Sequence, residues 1–139
     1  MSYSVRDYPI AEKHPDKVRG AHGKSLNDIT LDAVLAGDVS IEDLRITPEA
    51  LDAQADVARD AGRPRLADNF QRAAELVAVP QEKIMRAYEL LRPGRARSKE
   101  ELLAVAEDFE TTHGARRIAG FIREAAGVYE ARGLFTKRY

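Results

Sequence analysis

Pro48, Pro64 and Pro80 lie sixteen residues apart, and a run of strong helix formers follows each of them. Proline lacks a backbone N–H and has a fixed φ, so it suits the first turn of a helix and disrupts its interior. The spacing therefore predicts three helices of about three to four turns with very short connections, each proline taking the first helical position. The apolar positions after the three prolines do not superpose, so the array is punctuation and not an internal repeat. No segment alternates at period two, and the fold class expected is all-α.

The signals on either side extend this pattern. From Met1 to about Lys24 there is no helical period, and an extended arm is expected, with the apolar cluster Tyr8, Pro9 and Ile10 lying on the chain's own body or on a partner. Thr30 caps a short helix that places Leu31, Val34 and Leu35 on one side and stops at Gly37; Ser40 with Asp43 opens another single turn. Thr47 caps the Pro48 helix, whose apolar positions are Leu51, Ala55 and Ala58. The Pro64 helix has the broadest apolar face, Leu66, Phe70, Ala73, Ala74 and Val77, and is the expected central helix. The Pro80 helix is expected to bury Ile84, Ala87, Tyr88 and Leu91. Ser98 and Glu101 form a capping box for a helix bearing Leu102, Ala106 and Phe109, ended by Gly114. A last helix, about Ala115 to Arg132, aligns Ile118, Phe121, Ile122, Ala125, Val128 and Tyr129. The whole reads as a compact array of four to five main helices, with short N-terminal helices in front. An arm over 1–24 and one helical domain over 25–139 are the expected organisation.

Composition decides how firmly such an array holds together. Among 139 residues, 22 are Ala, against 32 Leu, Ile, Val and Phe combined. Alanine lets helices approach closely but buries little area, so at about 25 cal/mol per Å² the hydrophobic term is thin. Such a chain gains from docking on a partner. Val57 and Leu90 fall off their helices' apolar faces and Leu103 lies at the edge of its own, so these three, with Tyr8, Pro9 and Ile10, are the candidate docking residues.

Other chemistries are disfavoured. The net charge of −1 gives no general attraction to nucleic acid or anionic membrane, and zero Cys removes thiolate ligands and nucleophiles and suits a reducing compartment. Gly20-Ala-His-Gly-Lys-Ser25 ends like a P-loop, but Val18 stands at the first-glycine position and no strand precedes it. His14, His22 and His113 are not clustered at metal-ligand spacing, and Ser and Thr fall almost wholly at caps. The basic loop Arg92, Arg95, Arg97, Lys99 is flanked by Glu89, Glu100 and Glu101, which favours a solvated turn or ion pairing over phosphate binding. No catalytic, cofactor-binding or metal-binding residue is expected, and the compartment expected is the cytoplasm.

The stretches DYPIAEKHP (Asp7–Pro15), LNDITLDAVLAGDV, DLRITPEAL, NFQRAAELVAVP (Asn69–Pro80), YELLRPGR, KEELLAVAEDFE and FIREAAGVYEAR resemble, collinearly from about Asp7 to Arg132, the small subunit of adenosylcobalamin-dependent diol and glycerol dehydratases. The resemblance implies an all-helical, non-catalytic subunit that works with a large and a medium subunit in a dimer of heterotrimers. It implies that adenosylcobalamin is bound by those other subunits, and that the reaction is radical dehydration of a vicinal diol to an aldehyde and water. Relatives carry an aromatic after LRP where this chain has Gly94, which alters any partner contact made there. Some family members have a longer N-terminal extension directing them to microcompartments; this chain starts just before DYP, and free cytoplasm is the expectation. A helical adaptor or regulatory module without dehydratase partners is the competing reading.

Overall fold

A computed structural model of the chain describes residues 2–135. Seven α-helices run in order: α1 (Ile10–Lys13), α2 (Leu31–Leu35), α3 (Pro48–Asp60), α4 (Pro64–Leu76), α5 (Gln81–Leu91), α6 (Lys99–His113) and α7 (Arg116–Ala131). No strand occurs among the described residues, so the fold is all-α, as expected. The described residues fall into two compact units that part between Val77 and Ala78.

Local chemistry sets the helix ends. The Thr30 hydroxyl accepts from the Ala33 N–H at 3.1 Å and the Thr47 hydroxyl from the Ala50 N–H at 3.2 Å, satisfying donors that have no partner inside the helix. Pro48 and Pro64 occupy the first helical positions of α3 and α4. Pro80 instead precedes α5: its ψ of 138° is extended, and its carbonyl accepts the first helical bonds from Lys83 and Ile84. Ser98 accepts from the Glu101 N–H at 3.3 Å, but the Glu101 carboxylate turns back to the Arg97 N–H at 2.8 Å, so the expected box closes one residue early. Gly114, at φ +66°, ends α6 with bonds from its own N–H to Glu110 and from Ala115 to Phe109, a left-handed stop that a residue without a Cβ enters freely.

In the first unit α3 and α4 form a helical hairpin closed by Ala61–Arg63. Its seam is small: Ala55, Ala58 and Ala67 are buried, with Phe70 packed against them. Only Ala67 of α4 is buried, while Leu66 and Val77 are exposed, so α4 is not the central helix its broad apolar face predicts. An alanine seam draws two helices together and leaves the larger side chains on its flanks. The stretch expected as an extended arm carries 3-10 turns at Val5–Asp7 and Pro15–Lys17 and the single-turn α1. It lies along α3: the Tyr3 N–H donates to Asp56 at 3.2 Å, the Val5 N–H donates to Asp60 at 2.9 Å, and Ile10 is buried.

In the second unit α6 and α7 form another hairpin, and α5 packs on α6. Leu102, Ala106 and Phe109 are buried on α6, as expected; on α7 the buried positions are Ala119, Ile122 and Ala126. These follow i, i+3 or i+4 spacing; of the stripe predicted for α7, Ile122 is buried and Ile118, Ala125 and Tyr129 are half-buried, but the fully buried side also takes in Ala119 and Ala126, and Phe121 and Val128 stand exposed. Tyr88 of α5 is also exposed, against expectation: the small Ala87 beside it is the buried residue. The basic loop is an ion-paired turn. Pro93 and Gly94 (φ +80°) are its central residues, the Arg95 N–H donates to the Arg92 carbonyl, Arg92 and Arg95 both pair with Glu89, and Lys99 pairs with Glu130.

Candidate subunit interface

The first unit exposes an unusual run of apolar side chains from the turn before α2 to the start of α3. Leu26, Leu31, Val34, Leu35, Ile41, Leu44 and Ile46 are all exposed, with Leu31 at 73% and Leu35 at 76%. Single exposed apolar residues are ordinary, but seven within twenty-one residues are not. Leu31, Val34 and Leu35 do share one side of α2 as the sequence predicts, and that side faces outward. A five-residue helix covers no neighbour of its own.

The same segment carries Asp28, Asp32, Asp38, Glu42 and Asp43 against one basic residue, Arg45. Next to it a groove of about 1230 Å³ is bounded on one side by Glu42, Arg45 and Ile46 and on another by Tyr8, Pro9 and Ile10. Asp43 is buried, and Asp28, Asp32, Asp38 and Glu42 are exposed, so the surface is apolar with these four carboxylates as its acidic rim.

Of the six docking residues named from sequence, Tyr8 is exposed and borders this groove, Pro9 is half-buried, and Ile10 is buried. Val57, Leu90 and Leu103 are half-buried, and Leu90 and Leu103 belong to the other unit. Sequence reasoning missed the 26–46 run because its apolar residues carry the pattern of a buried helix face. The available signal was length: a segment of single turns and short links carrying seven large apolar residues has too little body of its own to cover them.

Carboxylates organise the turns around this surface. Asp7, Asp28 and Asp43 each reach back to the serine three residues earlier, through both its N–H and its hydroxyl. Hydrogen bonds from His14 and then Ser4 pull the Asp7 carboxyl down to about 2. Ser25 lowers Asp28, and the Ser40 N–H, with His22 and Lys24, lowers Asp43. In the second unit Lys83, 2.7 Å away, and Thr112 lower Asp108. A carboxyl lowered in the folded state stabilises the fold above its unfolded value, ordinarily 3.8, and loses that contribution as pH falls through the folded value. The thermal midpoint is thus expected to carry the full contribution of these groups, unchanged, between pH 7 and 5 and to fall as pH drops from about 4 toward 2. Asp7→Asn should blunt that fall in a pH series followed by circular dichroism.

No group of three or more His, Asp or Glu among the described residues is arranged to hold a metal ion. No helix among them is long and apolar enough to cross a membrane. Comparison with known proteins finds matches among small subunits of dehydratases. Residues 3–136 match the family model described as dehydratase small subunit. A propanediol dehydratase small subunit of Salmonella typhimurium (strain LT2) is 54% identical over 131 residues, which cover 94% of this chain and 75% of the relative. One of Citrobacter freundii is 52% identical over 128 residues, covering 92% and 74%.

Proposed function

This chain belongs to the family of dehydratase small subunits, as the small subunit of a diol dehydratase, and from that premise we propose that it docks on and stabilises the large catalytic subunit without supplying a catalytic residue. The observation that carries this is the exposed run Leu26–Ile46 with its acidic rim. Covering it removes apolar area from water, and the complementary partner surface is apolar with basic residues at its edge. The enzyme is a carbon–oxygen lyase built from larger partner subunits, and a dimer of heterotrimers with a large and a medium subunit, in the cytoplasm, is the assembly we infer. Tyr8, Pro9 and Ile10 extend the contact through the groove they border, while Val57, Leu90 and Leu103 offer only partly covered apolar edges.

Adenosylcobalamin, when bound to such an enzyme, supplies the radical chemistry that converts a vicinal diol to an aldehyde and water. The residues of this chain do not fit a site for it. His14 is tied to Asp7 at 2.7 Å, and His113 contacts Lys83 at 3.2 Å at the end of α6. His22 is bound to Asp43 at 3.0 Å on an exposed turn and does not border the groove. We therefore assign the cofactor to the other subunits, and no step of the reaction to this chain.

Co-expression tests the proposal. Large and medium subunits produced with this chain are expected to give several-fold more soluble, diol-converting enzyme in the presence of adenosylcobalamin than the same two without it. Equal yield and equal activity without this chain would leave the docking role unsupported and favour an adaptor with other partners.

A further inference from the structure

The turn Ile41–Leu44 is built inside out. Its charged Asp43 is buried, at 4% exposure, while Ile41 and Leu44 on the same turn are exposed at 67% and 57%. A turn stabilised by its own chain alone places these residue types the other way round. The buried carboxylate is fully engaged. One oxygen accepts from the Ser40 N–H at 2.9 Å and from its hydroxyl at 3.3 Å, with the Lys24 ammonium 3.6 Å away; the other is 3.0 Å from Nδ1 of His22.

His22 and Lys24 belong to a tight hairpin, the stretch that resembles a P-loop in sequence. Arg19 and Ser25 form an isolated antiparallel bridge, the Gly20 N–H donates to the Lys24 carbonyl at 2.8 Å, and the Gly23 N–H donates to the Gly20 carbonyl at 2.9 Å. Gly20 lies so close to the Ile41–Leu44 turn that a Cβ there would stand 2.9 Å from the Asp43 carbonyl oxygen. Backbone closeness at Gly20 and the side chains of His22 and Lys24 thus fasten the hairpin to the turn at one residue.

We propose that Asp43 is the positioning residue of the docking surface: its buried carboxylate clasps the 19–25 hairpin to the Ile41–Leu44 turn and so holds Ile41, Leu44 and Ile46 outward for the large subunit. This rests on the docking reading above. The clasp offsets the cost of leaving apolar residues in water before assembly by fixing their geometry in advance, so less ordering is left to be done on binding. The nucleotide-like motif thereby receives a structural role, with Lys24 directed at a carboxylate of its own chain.

The test uses the co-expressed three-subunit assembly with a tag on the large subunit, and reads how much of this chain stays bound on stepwise dilution. His22→Gln combined with Lys24→Gln leaves the Ser40–Asp43 bonds in place and removes the clasp. It is expected to raise the dilution midpoint needed for retention by about tenfold, the scale of one lost charge-assisted bond, and to speed amide hydrogen exchange over residues 40–46. His22→Gln with Lys24→Arg, which keeps a cation at the clasp, is expected to recover most of the retention. A retention change within twofold, or unchanged exchange at 40–46, overturns the proposal. Leu31→Asp with Leu35→Asp serves as the reference. If that pair abolishes retention while the clasp variant is silent, only the clasp fails; if that pair is silent too, the docking surface itself is misplaced.

Discussion

Leu31→Asp combined with Leu35→Asp is expected to reduce recovery of this chain with a tagged large subunit by a hundredfold or more, while leaving the free chain as helical and as heat-stable as before. Both side chains are about three-quarters exposed, so the fold has almost nothing to lose, and surface changes of this kind stay within about 0.5 kcal/mol. An Asp at position 31 even sits favourably at the N-terminal end of α2. In an interface the balance reverses. Covering each leucine contributes about 1.5–3 kcal/mol, and burying a carboxylate against apolar surface costs more still unless it finds a partner. Two such positions one helical turn apart amount to several kcal/mol, and each 1.4 kcal/mol is a factor of ten. Co-purification at fixed concentrations, with circular dichroism of the isolated variant as control, reads both quantities. Retained co-purification would remove this run from the interface.

The features legible in the sequence are those set locally. Thr30, Ser40, Thr47 and Ser98 act as caps because a side-chain oxygen three residues before an orphan N–H is a matter of chain geometry alone. Gly37, Gly62, Gly114 and Gly133 all take positive φ just beyond helices, again a local requirement. Which side of a helix is buried depends on its neighbour, and there the pattern misleads. In α7 large and small apolar residues wrap most of the way round, and a close helical partner selects the small ones, Ala119 and Ala126, with Ile122, over Phe121 and Val128. The same competition seats Ala87 inward and Tyr88 outward on α5, and Ala67 inward and Leu66 outward on α4. Interface residues are harder still to read. Leu31, Val34 and Leu35 have the spacing of a core stripe, and only their exposure among the described residues distinguishes them from one. Asp43 is legible as a cap, but its second role, gripping His22 and Lys24 across about twenty residues, is a tertiary fact with no local signature.

The opposite behaviour is expected of Phe109→Ala. Phe109 is 2% exposed and, with Leu102 and Ile122, is among the largest fully buried side chains; it also meets the His113 ring edge-on at 6.3 Å. Its removal leaves a cavity between α6 and α7 that alanines on both helices cannot fill, and truncations of this kind cost about 3–5 kcal/mol. A unit that runs from Ala78 toward the C-terminus has, at about 0.05–0.15 kcal/mol per residue, only about 3–9 kcal/mol in total. The change therefore removes most of what holds α6 and α7 together, and the isolated variant should lose a large part of its helical signal at 25 °C and unfold at much lower urea. Tyr88→Ala, on the exposed side of the same unit, should shift the urea midpoint little. Because a partner that binds only the folded form stabilises it by mass action, Phe109→Ala should regain helicity and solubility when co-expressed with the large subunit. Leu31→Asp with Leu35→Asp should remain folded and unassembled under the same conditions. The two variants thus separate the alanine-lined core from the leucine-bearing surface: one breaks the fold and is rescued by the partner, the other keeps the fold and loses the partner. A Phe109→Ala chain as stable as the parent would show that the α6–α7 pair is held by something other than its buried aromatic.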